Sequence, residues 1–187
     1  MNLRPTRRGR AILLLMTTIL AVGIVAFFVV APSPPFPPKG YGKDLPPARL
    51  LDGFPSYSTP DDVRRWLESL GLRWEIVRRG NPPTRDDHLY IVKVQNFSHL
   101  GATGDLWLYF FRDRLMRIHF GAADPATYWG RLRQVENLHV VTARDRDRII
   151  TAKMGNDVEV WLNMYDDGRY VGWRDDRLER EVSYLYD

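Results

Sequence analysis

The sequence predicts an α+β protein: an N-terminal transmembrane helix, then two similar helix-plus-antiparallel-sheet units forming one domain. Three observations carry that expectation. Twenty uncharged residues near the N-terminus match the thickness of a bilayer, and two segments 65 positions apart share a cap, a proline and an apolar stripe. Each of those segments is followed by short alternating runs of strand-forming residues.

The charge distribution sets the first limits. The net charge of +4 lies entirely in Arg4, Arg7, Arg8 and Arg10, which leave 23 basic residues to face 23 acidic ones in the rest of the chain. A basic tail followed by a neutral domain does not make a nucleic-acid surface, so no nucleic-acid partner is expected. The absence of cysteine removes disulfides, thiolate metal ligands, a cysteine nucleophile and a lipidated N-terminal cysteine. A domain of about 140 residues can nevertheless hold itself together through its core alone.

Ala11–Val30, AILLLMTTILAVGIVAFFVV, has only Thr17 and Thr18 as polar side chains, and both can bond back to helix carbonyls. At about 1.5 Å per residue the run reaches about 30 Å, a full hydrocarbon core. A cleaved signal would have an apolar region of only about 7 to 15 residues, and Pro32 directly after Ala31 makes a poor cleavage site. Residues 1–10 are thus a basic cytoplasmic tail and residues 11–31 a single-pass anchor in the lipid bilayer. Everything after the span lies outside the cytoplasm by the positive-inside rule.

Residues 32–55 read as a Pro-rich stalk, with seven of the thirteen prolines falling between Pro32 and Pro47. Proline fixes φ and withholds a donor, so the segment is expected to be extended and to lift the domain off the membrane. A polyproline ligand is the sharper alternative for the same residues.

Residues 56–187 form the domain, in halves 56–121 and 122–187. In STPDDVRRWLESLG, Ser58 or Thr59 can cap a helix, Pro60 suits its first position, and Asp61 and Asp62 complement its dipole. Val63, Trp66, Leu67 and Leu70 make one stripe, and Gly71 permits a left-handed exit. ADPATYWGRLRQVEN repeats the design with Asp124, Pro125, Tyr128, Leu132 and Val135. Strands follow in the same order in each half: LRWEIVRR, HLYIVKVQ and GDLWLYFF, then LHVVTARD, RIITAKM and DVEVWLNMY. Hairpins are expected at Arg112–Arg114, at GNDV (Gly155–Val158) and at DDG (Asp166–Gly168). LEREVSYLY, with Leu178, Arg180, Val182, Tyr184 and Tyr186 alternating, reads as a last strand.

This order of elements, carried by TPDDVRRWL and ADPATYWGRL, resembles the β-lactamase inhibitor proteins, which have two such repeats side by side. It also resembles the small outer-membrane assembly lipoproteins, which have one; the missing lipobox cysteine departs from that family. The resemblance covers residues 56–187 and implies a binding surface on the exposed sheet face. A shared fold does not by itself establish function.

Along LWLYFFRDRLMRIHF, Leu106, Leu108 and Phe110 point one way and Trp107, Tyr109 and Phe111 the other. The return strand sets Met116, Ile118 and Phe120 against Arg117 and His119. Trp107, Tyr109, Phe111, Arg117, His119 and Trp161 are therefore the expected partner-binding face, because Trp, Tyr and Arg combine contact area with a polar handle. The rival reading covers that face and makes its rings core.

Chemistry is sparse. His88, His99, His119 and His139 sit in no metal or nucleophile motif, so no catalytic, metal or cofactor site is expected. Asp86 and Asp87 beside His88 make the most enzyme-like cluster, for a hydrolase. Asp145 and Asp147 are flanked by arginines that would neutralise them, and GATG is not a phosphate loop. The expected function is a membrane-anchored extracytoplasmic module that binds a protein or envelope component, with a hydrolase and a spacer as alternatives.

Overall fold

The computed structural model describes residues 40–79, 89–146, 148–166 and 168–186, all within one compact unit. Its elements in order are β1 (Arg49–Leu51), β2 (Phe54–Pro55), α1 (Pro60–Ser69), β3 (Trp74–Arg79), β4 (Leu89–His99), β5 (Ala102–Phe111) and β6 (Arg114–Ala122). The second half follows with α2 (Pro125–Val135), β7 (His139–Arg144), β8 (Ile149–Met154), β9 (Val158–Tyr165), β10 (Gly168–Asp175) and α3 (Asp176–Tyr186). The molecule is α+β with an antiparallel main sheet and three described helices. Among the described residues no helix is long and apolar enough to cross a membrane; the expected span at residues 11–31 lies outside them.

Both expected helix starts form for the local reasons their sequences give. Thr59 caps α1 and exchanges hydrogen bonds with Asp62 in a capping box, and Pro60 opens the first turn. Asp124 caps α2 by accepting from the Thr127 backbone N–H at 3.1 Å. The last stripe position opens to solvent in both: Leu70 and Val135 are exposed, because each lies where its helix ends and the chain turns away.

The sheet runs in the order β3-β4-β5-β6-β10-β9-β8-β7, so each half contributes four strands and the last strands of the halves pair at the centre. There Phe120 faces Val171 and Ile118 faces Trp173 across β6 and β10. One cross-strand row, Val92–Leu108–Ile118–Trp173–Val160–Ala152, spans six strands and is buried throughout. Each such Leu, Ile or Val contributes about 1.5–3 kcal/mol relative to solvent. The edge strands β3 and β7 each carry a bulge in their middle, between Ile76 and Arg78 and between Val140 and Thr142. Bulges of this kind discourage edge-to-edge pairing.

Two expectations need correction. The domain begins before residue 56, since Arg49–Leu51 and Phe54–Pro55 form a small hairpin whose Leu50, Leu51 and Phe54 are core. The Phe54 ring meets Trp66 of α1 at 4.4 Å and Phe97 of β4 at 5.9 Å. Gly53 makes its turn at φ +82, where a Cβ would also strike the Trp66 ring.

The last segment is a helix, α3, not a strand. Leu178 and Val182 fit both a two-residue and a helical period, but Glu181 is buried and Arg180 exposed, the reverse of alternation. The Asp175 carboxylate starts the helix by accepting the Arg177 backbone N–H at 2.9 Å. Burial pushes the Asp175 carboxyl up, but bonds from the Arg177 guanidinium and the Ser56 hydroxyl outweigh it and hold the group below the usual range.

Candidate functional site

The main sheet has one face under α1, α2 and the β1–β2 hairpin. Its other face is covered at one end by α3, where Leu178 and Val182 pack on Phe111 and Met116. Phe111 is 0% exposed, so it leaves the expected contact surface and becomes core beneath α3. The register shift between Tyr109 and Phe110 puts Met116 on the same side. Alternation predicted the side on which Phe111 lies, but not the helix that lands on it.

The remaining expected residues come together. Lys93, Trp107, His119, Gly172, Trp161 and Thr151 form one row across β4, β5, β6, β10, β9 and β8. The next row toward α3 is Tyr109, Arg117, Arg174, Glu159 and Lys153. With strands about 4.8 Å apart, the two tryptophans stand about 14 Å from each other, one in each half.

Each indole lies over a glycine of the neighbouring strand. A Cβ on Gly121 would come within 2.9 Å of the Trp107 ring, and one on Gly172 within 2.4 Å of the Trp161 ring. Only glycine lets these rings come so close to the neighbouring backbone. Cations flank them: Lys93 Nζ is 5.5 Å from the Trp107 centroid, the Arg174 guanidinium 5.6 Å from Trp161, and the Arg117 guanidinium 5.9 Å from Tyr109.

His119 sits at the centre, 9% exposed, with Tyr170 stacked on it at 4.1 Å, Tyr109 at 4.6 Å and Trp161 edge-on at 5.5 Å. Burial pushes its pKa down to about 3, and the nearby Arg117 charge adds to the effect. The imidazole is therefore neutral throughout the physiological range. Burial raises the Tyr109 phenol, partly offset by Arg117. Neither group is poised for proton transfer near neutral pH.

Arg117 and Arg174 oppose each other directly across β6 and β10, an arrangement that costs energy unless anions intervene. Glu179 of α3 pairs with Arg117 and lies 3.9 Å from Arg174. Glu159 bonds Arg174 at 2.6 Å, and Asp176 pairs with Arg174 and Lys153. Three polar atoms at this junction, Arg117 Nε, Glu179 Oε2 and His119 Nε2, are buried with no hydrogen-bond partner among the described residues.

Trp107, Tyr109, Arg117, His119 and Trp161 thus share one surface, and sequence reasoning missed Lys93, Tyr170, Arg174, Glu179, Gly121 and Gly172. The two glycines were the available signal, because isolated glycines in strand patterns mark close approach. Asn163, in the same alternation as Trp161, instead holds its own hairpin by donating to the Gly168 carbonyl at 2.6 Å.

The enzyme-like alternatives fare differently. His88, Asp86 and Asp87 lie outside the described residues, as does Asp147. Asp145 accepts a hydrogen bond from the Tyr165 hydroxyl. His99 bonds the Tyr128 hydroxyl at 2.6 Å, joining β4 to α2; burial lowers its pKa, against the pull of Asp52 and Glu136. No protein-family model matches this chain, and no curated protein matches it either.

Proposed function

We propose that this chain is a membrane-anchored, extracytoplasmic binding module whose open sheet face recognises a protein partner. One observation carries the reading: two indoles, one from each half, lie close over glycines of the neighbouring strands in a single row that runs through His119. Trp107 and Trp161 supply large apolar contact area, Tyr109 and Tyr170 fill the space between, and Lys93, Arg117 and Arg174 supply donors. Interfaces draw on this mixture.

The unpaired polar atoms at the α3 junction support the same reading. Burying donors and acceptors without partners costs stability, and such groups concentrate where function requires them. The anchor rests on Ala11–Val30, and the orientation on the arginines before it.

The test uses the full chain purified in detergent. Partner capture by the native chain should fall at least tenfold in a Trp107→Ala, Trp161→Ala variant whose melting temperature stays within a few degrees of native. Equal capture by both would remove this surface from consideration. Absence of capture with either would favour the spacer reading.

A further inference from the structure

Every large hydrophobic side chain that is exposed among the described residues belongs to one of two sets. The first half has Leu70, Ile76 and Val77, the second Val135, Val140 and Val141, at 37–62% exposure. The sets repeat one another. Leu70 and Val135 each fall ten positions after the proline that opens their helix. Ile76 faces Val92 and Val140 faces Ala152, so the two close opposite ends of the buried row that crosses the sheet. Val77 and Val141 lie at the two edge bulges. In the first half Ile76 shares a groove with Leu67, which is one helical turn before Leu70, so the set gathers where α1 meets its edge strand. Single exposed aliphatic residues mean little, but the same three positions left open in both halves mark two contact surfaces.

The helices beside the two sets differ in charge. α1 has three acidic residues, Asp61, Asp62 and Glu68, against two arginines, whereas α2 has Arg131 and Arg133 and no acid. Glu68 and Arg133 hold equivalent places in the last turn, and both are exposed. We infer that the two edges dock on one another between molecules, the β3 edge of one copy receiving the β7 edge of the next. Leu70, Ile76 and Val77 then meet Val135, Val140 and Val141, and Glu68 comes to the side of Arg133. Two like edges would instead set Glu68 against Glu68 or Arg133 against Arg133. The bulges stop the ladder from running on, so side chains make the contact. Two different surfaces of one chain meeting in this way build an open row of molecules or a ring. Three half-exposed side chains on each partner support only weak association, between about 10 μM and 1 mM. The inference stands apart from the open-face reading, since the row through His119 lies at the centre of the sheet and stays free in every copy.

The test is sedimentation of the full chain in density-matched detergent, from about 10 μM to about 1 mM. The native chain should gain mass with concentration and pass beyond a dimer. Val77→Asp and Val141→Asp each block one edge at an exposed position, so each variant alone should associate at least tenfold more weakly. The two mixed in equal amounts should form a dimer and nothing larger, because each keeps the edge that the other has lost. A chain carrying both substitutions should stay monomeric. Leu70→Lys and Val135→Glu block the same two edges from the helix side and replace any bulge variant that melts early. A native chain that stays monomeric to about 1 mM, or association that persists in the doubly substituted chain, would overturn the contact. A single variant that still dimerises by itself would overturn the pairing of unlike edges. The Trp107→Ala, Trp161→Ala chain should associate as the native chain does, so this contact and the open face fail independently.

Discussion

The two faces of the eight-stranded sheet follow opposite rules. The helix-covered face has continuous apolar rows and gains its energy from area removed from water. The open face keeps its rings half in solvent and orders them with guanidinium, ammonium and carboxylate neighbours. At Arg117–Arg174 it even sets like charges side by side. One face is built for stability, whereas the other spends some stability on a fixed arrangement of polar and aromatic groups. Substitutions on the two should separate stability from binding.

The largest loss of stability is expected on the covered face. Trp173 lies in the central row, 1% exposed, and joins the halves opposite Ile118 and Val160. Trp173→Ala should cost about 3–5 kcal/mol, read as a drop in the denaturation midpoint at unchanged slope. Next comes the α3 boundary, where Glu181 is buried and accepts from Arg114 at 2.6 Å. Glu181→Ala leaves the Arg114 guanidinium buried without its carboxylate and should cost about 3 kcal/mol. A cost under about 1 kcal/mol there would make α3 a loosely held appendage, and the covering of Phe111 incidental.

What could be read in advance was local. Thr59 with Asp62, Asp124 with Thr127, and the turns at Arg112–Asp113 and Gly155 depend on residues a few positions apart, so their signals survive in the sequence. The pairing of β6 with β10 joins residues about fifty positions apart and has no local signature. That pairing is what places Trp161 in the row of Trp107. Leu178 and Val182 obey two periods at once, and only the burial of Glu181 by Arg114 decides for a helix. The fate of Phe111 follows from that same misread element. Leu50, Leu51 and Phe54 lie in strands only two or three residues long, too short for a period to show.

His119 gives a smaller effect with a defined sign. Its folded pKa of about 3 lies below the unfolded value near 6.5, so between those limits the unfolded chain holds the extra proton. Stability should be constant above about pH 6.5 and fall as pH drops toward 3, by on the order of 2–4 kcal/mol. His119→Gln should flatten that part of the curve. An unchanged slope would mean the imidazole is solvated rather than enclosed by Tyr109, Trp161 and Tyr170.

The smallest effect is the most informative about the open face. Trp107 rests on Gly121 with its outer side in solvent and Lys93 beside it, and Lys93 keeps its bond to Asp105 at 2.8 Å whether or not the indole is present. Trp107→Ala removes half-exposed area and a surface cation–π contact, which together amount to about 1 kcal/mol. A loss of 3 kcal/mol or more would place Trp107 with the covered face in its energetics, and the two faces would then differ in composition but not in role. A loss near 1 kcal/mol leaves an indole held close over a glycine at little benefit to the fold, and recognition of a partner becomes the stronger reason for the glycine as well as for the ring.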